Sequence, residues 1–258
     1  MNILVCIKQV PDMESHFRPN GTATWFDESN LAFRMNEYDE YAVEEAVRLK
    51  EQLGGNPEIT VLSIGPDRVI EVIKKALAMG CDRAVHIQDP DVASKDSWQI
   101  ASIIAAYARG RQFDLIFTGM QSQDRGSAQV GVLAAELLGF PSVTTLVGFA
   151  YADGVVTATR ELEGGVKGKV RLRTPALVTC QLGLNAPRYP TLPNIMKAKK
   201  KEIATFQPGE LSSEPPLTGS TDFRHHEKKG SGVVIEGDIA ELVEKVIVIL
   251  KEKTAVLR

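Results

Sequence analysis

Short apolar runs alternate with longer segments of helical periodicity over the first half of the chain. The apolar runs predict strands at 3–7, 59–63, 83–87 and 115–118, and amphipathic segments predict helices at about 38–53, 68–79, 96–109 and 127–138. Continuously apolar strands that alternate with amphipathic helices indicate a mostly parallel sheet with flanking helices. The predicted fold class is therefore α/β, and such sheets bind ligands beyond the carboxyl ends of their strands.

The pattern changes after Phe140-Pro141. Segments 143–151 and 155–161, joined by the turn residues Ala-Asp-Gly, predict an added antiparallel hairpin, and further strands are expected at 169–173 and 176–181. From about 206 to 232 the composition shifts to Pro, Gly, Ser and charge, which predicts an extended arm, and a helix follows at about 236–252. We therefore expect an α/β domain over 1–205 and a C-terminal arm with a helix over 206–258.

Composition narrows the class of protein. A formal net charge of −3 over 258 residues argues against nucleic acid as the main partner. The three cysteines, Cys6, Cys81 and Cys180, lack metal-ligand spacing, and an odd count makes a poor disulfide framework. The chain opens on a predicted strand without a signal or transit segment, and no apolar run nears the ~18 residues of a membrane helix. We expect a cytoplasmic protein that does not insert into membranes.

The segment 119–139, GMQSQDRGSAQVGVLAAELLG, lies between a predicted strand and a predicted helix. Gly126 permits close approach of a ligand to the backbone, Ser127 is expected to cap the helix, and the free N–H groups at the helix start suit a phosphate. The segment is neither a GxGxxG nor a Walker loop, so an ordinary capped turn is the alternative. Loops at 63–67 and 35–41 leave strands at the same predicted edge, which favours a nucleotide site.

The sequence contains no recognisable catalytic grouping. Histidines at 16, 86, 225 and 226 are expected in the core or in solvent, and no cysteine has a nearby histidine or a CxxC partner. The acidic run Asp39, Glu40, Glu44 and Glu45 is expected to be a solvated helix start favoured by the helix dipole. No metal-ligand spacing is present. We expect a nucleotide-binding protein that is not itself an enzyme.

The segment 182–201, LGLNAPRYPTLPNIMKAKKK, combines apolar side chains with prolines and lysines. The prolines stiffen the segment, so little entropy would be lost when it docks. Its apolar residues are expected to anchor a partner, and its lysines to steer it towards acidic surfaces. The alternative is a core-packed crossing segment followed by a solvated helix at 193–201. The predicted anchors are Tyr189, Leu192, Pro193, Ile195 and Met196.

Several segments carry a family resemblance. LNAPRYPTLPNIMKAKKK looks like the recognition loop, and ATRELEGGVKGKVRLRTPALVTC at 158–180 looks like the signature except at Lys167-Gly168, of the electron-transfer flavoprotein beta subunit. AVEEAVRLKE at 42–51 and KALAMGCDRAVHI at 75–87 are also similar to family segments. The likeness covers residues 1 to about 205.

The resemblance implies an incomplete Rossmann-type fold, similar to adenine-nucleotide hydrolases, that holds a structural AMP. It also implies a heterodimer with an alpha subunit that carries the redox-active FAD. The heterodimer would take electrons from acyl-CoA-type dehydrogenases of fatty acid β-oxidation and pass them to a quinone reductase or another redox acceptor. By position, Leu192 would insert into a dehydrogenase pocket, and Glu161 would steer the mobile FAD domain towards its partner. The implied AMP-lining residues are Cys6, Asn36, Glu37, Tyr38, Asp39, Ile64, Ser122, Gln123, Asp124, Arg125, Gly126, Ser127, Ala128, Gln129, Val130, Gly131, Val132 and Leu133.

Two alternatives stay open from the sequence. In electron-bifurcating relatives a second FAD replaces AMP beside a loop resembling DGDTAQVG, and DRGSAQVG at 124–131 shares the latter half of that loop. The fold alone would also permit a stand-alone nucleotide-binding or hydrolysing protein.

Overall fold

The computed structural model describes residues 1–221, 232 and 234–254, and the chain divides into two units, residues 1–223 and 224–258. The strands of the first unit are β1 (Asn2–Ile7), β2 (Gln9–Pro11), β3 (Phe33–Met35), β4 (Glu58–Gly65), β5 (Arg83–Gln88), β6 (Leu115–Gly119), β7 (Ser142–Ala152), β8 (Val155–Glu161), β9 (Lys167–Arg173), β10 (Ala176–Cys180) and β11 (Ile203–Phe206). Its helices are α1 (Glu37–Gln52), α2 (Ile70–Met79), α3 (Ser97–Ala108), α4 (Val130–Leu138), α5 (Leu192–Ala198) and α6 (Pro208–Leu211). The second unit contains α7 (Ile239–Lys253).

Within the described residues, nine strands form one sheet in the order β11-β5-β4-β1-β6-β10-β7-β8-β9. Neighbours are parallel from β11 to β7, whereas β8 runs antiparallel to β7 and to β9. Strands β2 and β3 form a separate antiparallel pair. The predicted α/β class, the mostly parallel sheet and the added hairpin are therefore confirmed.

Helices cover both faces of the sheet, as its continuously apolar strands require. Successive residues of β1 alternate between two apolar cores: Ile3 and Val5 pack with α1 and α2, and Leu4 packs with α3 and α4. Strand β10 is buried throughout because it lies between β6 and β7 in the middle of the sheet. A strand buried on both faces tolerates only apolar or hydrogen-bonded side chains.

The sheet reverses its winding at β1. The chain passes from β1 through α1 to β4 on one side, and later from β5 through α3 to β6 on the other side of β1. The loops after β1 and β6 consequently leave the sheet in opposite directions and open a crevice beyond their carboxyl ends. This topological switch point is where open α/β sheets bind ligands.

The region from residue 206 onwards differs in part from the sequence prediction. The segment predicted to begin as an extended arm at 206 first completes β11, which pairs with β5, and then forms α6; residues 212–221 have no helix or strand. The predicted arm residues 222–231 and 233, with His225 and His226, lie outside the described residues. In the described ranges, no helix has the length and apolar character needed to cross a membrane.

Candidate functional site

A cleft opens at the switch point, beyond the carboxyl ends of β1, β4 and β6. Strand ends supply its floor, the starts of α3 and α4 supply one wall, and the segment between β6 and α4 supplies another. The predicted site residues that line it are Cys6, Asn36, Asp39, Ile64, Ser122, Arg125, Ser127, Ala128, Gln129, Val130 and Gly131. The predicted residues outside the lining are Glu37, Tyr38, Gln123, Asp124, Gly126, Val132 and Leu133.

Asp39 joins the two strands that diverge at the cleft. Its Oδ2 accepts a hydrogen bond from the Lys8 backbone N–H at 2.7 Å, and its Oδ1 accepts one from the Gly119 N–H at 3.0 Å. These N–H groups lie just after β1 and at the end of β6. Burial raises the pKa of Asp39 to about 7, although these hydrogen bonds oppose the shift. Asp39 therefore fixes the floor of the cleft.

The expectation of a solvated acidic run was wrong. Asp39, Glu44 and Glu45 are all buried, and Glu40 alone of the four is partly exposed. Each buried carboxylate accepts hydrogen bonds from a distant segment, from Gly119 in the case of Asp39 and from Arg188 or Asn185 in the others. Burial of a carboxylate is tolerated only where such partners exist.

The first turn of α1 also orders the loop after β6. Asn36 Nδ2 donates to the Gln121 carbonyl at 2.9 Å, and its Oδ1 accepts from the Gln123 N–H at 3.0 Å. Outside the lining, Gln123 Nε2 donates to Glu37 Oε2 at 3.0 Å, and Gln121, which lines the cleft, donates through Nε2 to the Tyr38 hydroxyl at 3.1 Å. Glu37, Tyr38 and Gln123 thus support the cleft rather than line it.

The backbone before α4 has the conformation of an anion-binding nest. Ala128 has a left-handed φ of 53°, and Gln129 follows in the right-handed helical region. The N–H groups of Ser127, Ala128 and Gln129 have no hydrogen-bond partner in the described part of the chain. Successive N–H groups in such a left-then-right sequence point into one concavity and suit an anion.

Two details of this loop differ from the sequence prediction. Helix α4 begins at Val130 with Gln129 as its N-cap and no side-chain cap, so Ser127 is not the cap; its Oγ instead lies 3.2 Å from Ser97 Oγ. Gly126 lies in a turn, with a φ of 61° and its N–H donating to the Ser122 carbonyl at 2.8 Å. Its conformation, not its proximity to the cleft, explains why glycine fits there.

Cationic side chains surround the nest, and most already have acidic partners. Lys8 Nζ lies 2.7 Å from Asp124, and Lys95 Nζ lies 2.8 Å from Asp89. Arg125 stacks on Trp25, with its guanidinium carbon 4.3 Å from the ring centroid, and donates to the Ala93 carbonyl. Within the described residues Arg125 makes no direct ion pair, although the charges of Asp124 and Asp96 act on it, and it lines the cleft beside the nest.

Other polar atoms of the lining lack partners as well. Gln9 Oε1 and Arg68 Nε are buried and have no hydrogen-bond partner in the described ranges. A ligand with donors and acceptors could satisfy both, since unpaired buried polar atoms are costly.

Sequence reasoning missed Lys8, Gln9 and Arg68, although all three follow strands whose carboxyl ends form the cleft. Across the described residues, no three His, Cys, Asp or Glu side chains are grouped so as to hold a metal ion.

The segment 182–201 combines features of both sequence interpretations. Tyr189 is 95% exposed, Leu192 is 78% exposed, and Met196 and Pro193 are also exposed. Ile195 packs against the core beside the buried Ala198. The segment is therefore fixed to the domain by α5 while it presents apolar side chains to solvent. Glu161 lies exposed at the end of β8.

Comparisons with known proteins agree on one family. The model of the electron transfer flavoprotein domain matches residues 23–211. The electron transfer flavoprotein subunit beta of Bacillus subtilis is 36% identical over 263 residues, covering 100% of both chains. That of Methylophilus methylotrophus is 33% identical over 260 residues, 98% of each chain, and that of Homo sapiens is 38% identical over 213 residues, 82% of this chain and 83% of the relative. The chain belongs to the electron transfer flavoprotein beta-subunit family.

Proposed function

We propose that this chain binds AMP in the cleft as a structural nucleotide and pairs with an alpha subunit that carries the redox-active FAD. The observation that carries the nucleotide proposal is the nest at residues 127–129, with three unpartnered N–H groups beside the unpaired Arg125. One phosphate monoester would satisfy both the donors and the charge.

The rest of the cleft fits an adenosine moiety. Its walls mix apolar side chains, such as Ile64 and Val130, with a few polar atoms, as is usual for nucleotide-sized ligands. The unpartnered Gln9 Oε1 offers an acceptor and Arg68 Nε a donor, and a nucleoside carries groups that pair with each. Burial raises the pKa of the Cys6 thiol, so this residue would act as a small apolar contact.

The exposed anchors of segment 182–201 support a role in docking acyl-CoA-type dehydrogenases. Leu192 and Tyr189 project from the domain, which is the arrangement expected of residues that enter a partner's pocket. The exposed Glu161 is proposed to steer the mobile FAD domain of the alpha subunit. The chain would thus bring donor and flavin together without catalytic residues of its own, and electrons would then pass to a quinone reductase or a similar acceptor.

The C-terminal region is proposed to pack on the alpha subunit. Helix α7 carries apolar residues that are exposed in the isolated chain: Ile239, Val243, Val246, Ile247 and Val248. An apolar stripe of this kind is typical of a surface that another subunit covers. The domain 1–205 would then hold the nucleotide and the docking segment, and residues 206–258 would supply much of the subunit contact.

Replacement of Gly126 by valine should lower the nucleotide content of the co-expressed heterodimer. A β-branched residue at a φ of 61° is strained by about 1–2 kcal/mol, which would distort the turn that leads into the nest. AMP per heterodimer, measured after acid extraction, is expected to fall while FAD content stays the same.

Gly54→Val is the matched control. Gly54 has a φ of 67° with nothing within 4 Å of an added Cβ, and it follows the C-terminal end of α1, far from the cleft. It should lose comparable stability but keep its AMP. Equal AMP content in the two variants would remove the 126–129 turn from the nucleotide site.

A further inference from the structure

The segment that leads to the exposed anchors has little backbone structure of its own. Residues 181–191, between β10 and α5, form no helix or strand. Pro187 and Pro190 lack the N–H donor through which a loop is usually tied to its neighbours. Something other than backbone pairing must therefore hold the chain ahead of Tyr189 and Leu192.

Arg188 supplies that connection through helix α1. Its Nε and one terminal nitrogen donate to the two carboxylate oxygens of Glu44 at 2.8 and 3.0 Å, and its backbone N–H donates to Glu44 Oε2 at 3.1 Å. The same guanidinium donates to both oxygens of Glu51 at 2.6 and 3.0 Å. These bonds raise the pKa of Arg188, Glu51 contributing most. One side chain is thus held in two bidentate pairs two turns apart on α1.

A second contact reinforces the first. Asn185 Nδ2 donates to Glu45 Oε2 at 2.8 Å and to the Tyr41 carbonyl at 3.0 Å. Glu45 is buried, and burial raises the pKa of its carboxyl group. The hydrogen bond from Asn185 stabilises the charged carboxylate and offsets part of the cost of burying it. Both ties run from residues 185–188 to one face of α1.

On the far side of the anchors, α5 is fixed by packing. Ala198 is buried, Ile195 packs against the same core, and α5 contacts α2. Tyr189 and Leu192 therefore lie between two fixed points: the Arg188 cluster before them and the buried side of α5 after them. An exposed apolar residue held in this way loses little conformational entropy when it enters a pocket.

We propose that Arg188 is a positioning residue that pre-organises the docking segment 189–196 on helix α1. The inference rests on the proposed docking function. The guanidinium fork matches two carboxylates at once, whereas a lysine would satisfy them as a single point charge. Arg188→Lys should therefore keep the charge beside the buried Glu44, and with it the fold, but loosen the segment.

Hydrogen exchange of the amides of Ile195 and Met196 tests the positioning directly. The Ile195 N–H donates to the Thr191 carbonyl at 2.9 Å, so its protection depends on how residues 188–191 are held. Arg188→Lys is expected to speed this exchange about tenfold, and Glu51→Gln, which removes an exposed carboxylate, several-fold. Arg171→Lys and Glu136→Gln are the matched controls. Arg171 is exposed on β9, at the edge of the sheet opposite β11, and Glu136 is exposed on α4, on the opposite face of the sheet from α1. Exchange unchanged from wild type in Arg188→Lys would overturn the proposal.

Electron transfer from an acyl-CoA dehydrogenase to the heterodimer provides the second readout. Arg188→Lys should raise the KM for the dehydrogenase about tenfold with little change in kcat, since it removes uniform binding. An unchanged KM in a variant with fast exchange would also overturn the positioning role.

Leu192→Ala separates the positioning role of Arg188 from the docking function of the segment. This variant should weaken docking while the exchange of Ile195 stays at the wild-type rate. If Leu192→Ala left docking intact, the docking function would fail, and the exchange rates would still decide whether Arg188 anchors the segment.

Discussion

Replacement of Gly119 by alanine is expected to abolish nucleotide retention and to destabilise the fold. A Cβ at this position would lie deep inside the contact distance of Asp39 Oδ1 and 2.8 Å from Tyr38 Cβ. Asp39 is buried and could move away only by releasing the N–H groups of Lys8 and Gly119. Overpacking and unpaired buried donors together should cost about 2–5 kcal/mol of the free energy of unfolding.

The measurement is urea unfolding together with the AMP content of the co-expressed heterodimer. Gly21→Ala is the matched control, because nothing lies within 4 Å of a Cβ added there and its φ is not left-handed. The control should change unfolding by less than about 0.5 kcal/mol and keep its nucleotide. A Gly119→Ala variant as stable as the control would show that Asp39 does not hold the two strand ends together.

Truncation of Leu192 to alanine is expected to weaken dehydrogenase binding by ~10-fold or more. Burial of a leucine side chain in a partner's pocket contributes roughly 1.5–3 kcal/mol, and each ~1.4 kcal/mol is a factor of ten in affinity. The loss should appear mainly as faster dissociation. Because the side chain is 78% exposed in the free chain, the stability of the variant should match that of wild type.

Leu217→Ala provides the control for Leu192→Ala. Leu217 is 68% exposed, so its truncation also removes an exposed leucine, but it lies outside the docking segment. Surface plasmon resonance with an immobilised acyl-CoA dehydrogenase would give both rate constants. Equal dissociation rates for the two variants would contradict the docking role and indicate that residues 189–196 are a packing segment.

The sheet was largely predictable because its strands are local features. Buried parallel strands are continuously apolar, so β1, β4, β5 and β6 stand out from the amphipathic helices between them. The position of β10 within the sheet was not predictable. Its local pattern resembles that of any buried strand, and its pairing with β6 and β7 depends on contacts between segments that are remote in sequence. The short β11 was missed because its four residues carry no distinct periodicity.

The candidate site was predictable in place but only partly in detail. Loops at the carboxyl ends of parallel strands must meet at one edge, which brings Asn36, Asp39, Ile64 and most of residues 122–131 to the same cleft. The roles of buried charges could not be inferred, because their partners are remote in sequence. Glu44 pairs with Arg188 and Asp39 with Gly119, and local periodicity gives no sign of either contact. The nest was not predicted because it depends on the left-handed φ of Ala128, a conformation that alanine rarely adopts.

The central claim is that this chain binds a structural AMP within a flavin-carrying heterodimer. The most direct test is to co-express it with an electron transfer flavoprotein alpha subunit, extract the purified complex with acid and quantify the released nucleotides against protein. We expect one AMP and one FAD per heterodimer. Two FAD and no AMP would contradict the proposed site occupant and favour the bifurcating type, and a nucleotide-bearing chain without any flavin or alpha subunit would contradict the electron-transfer role itself.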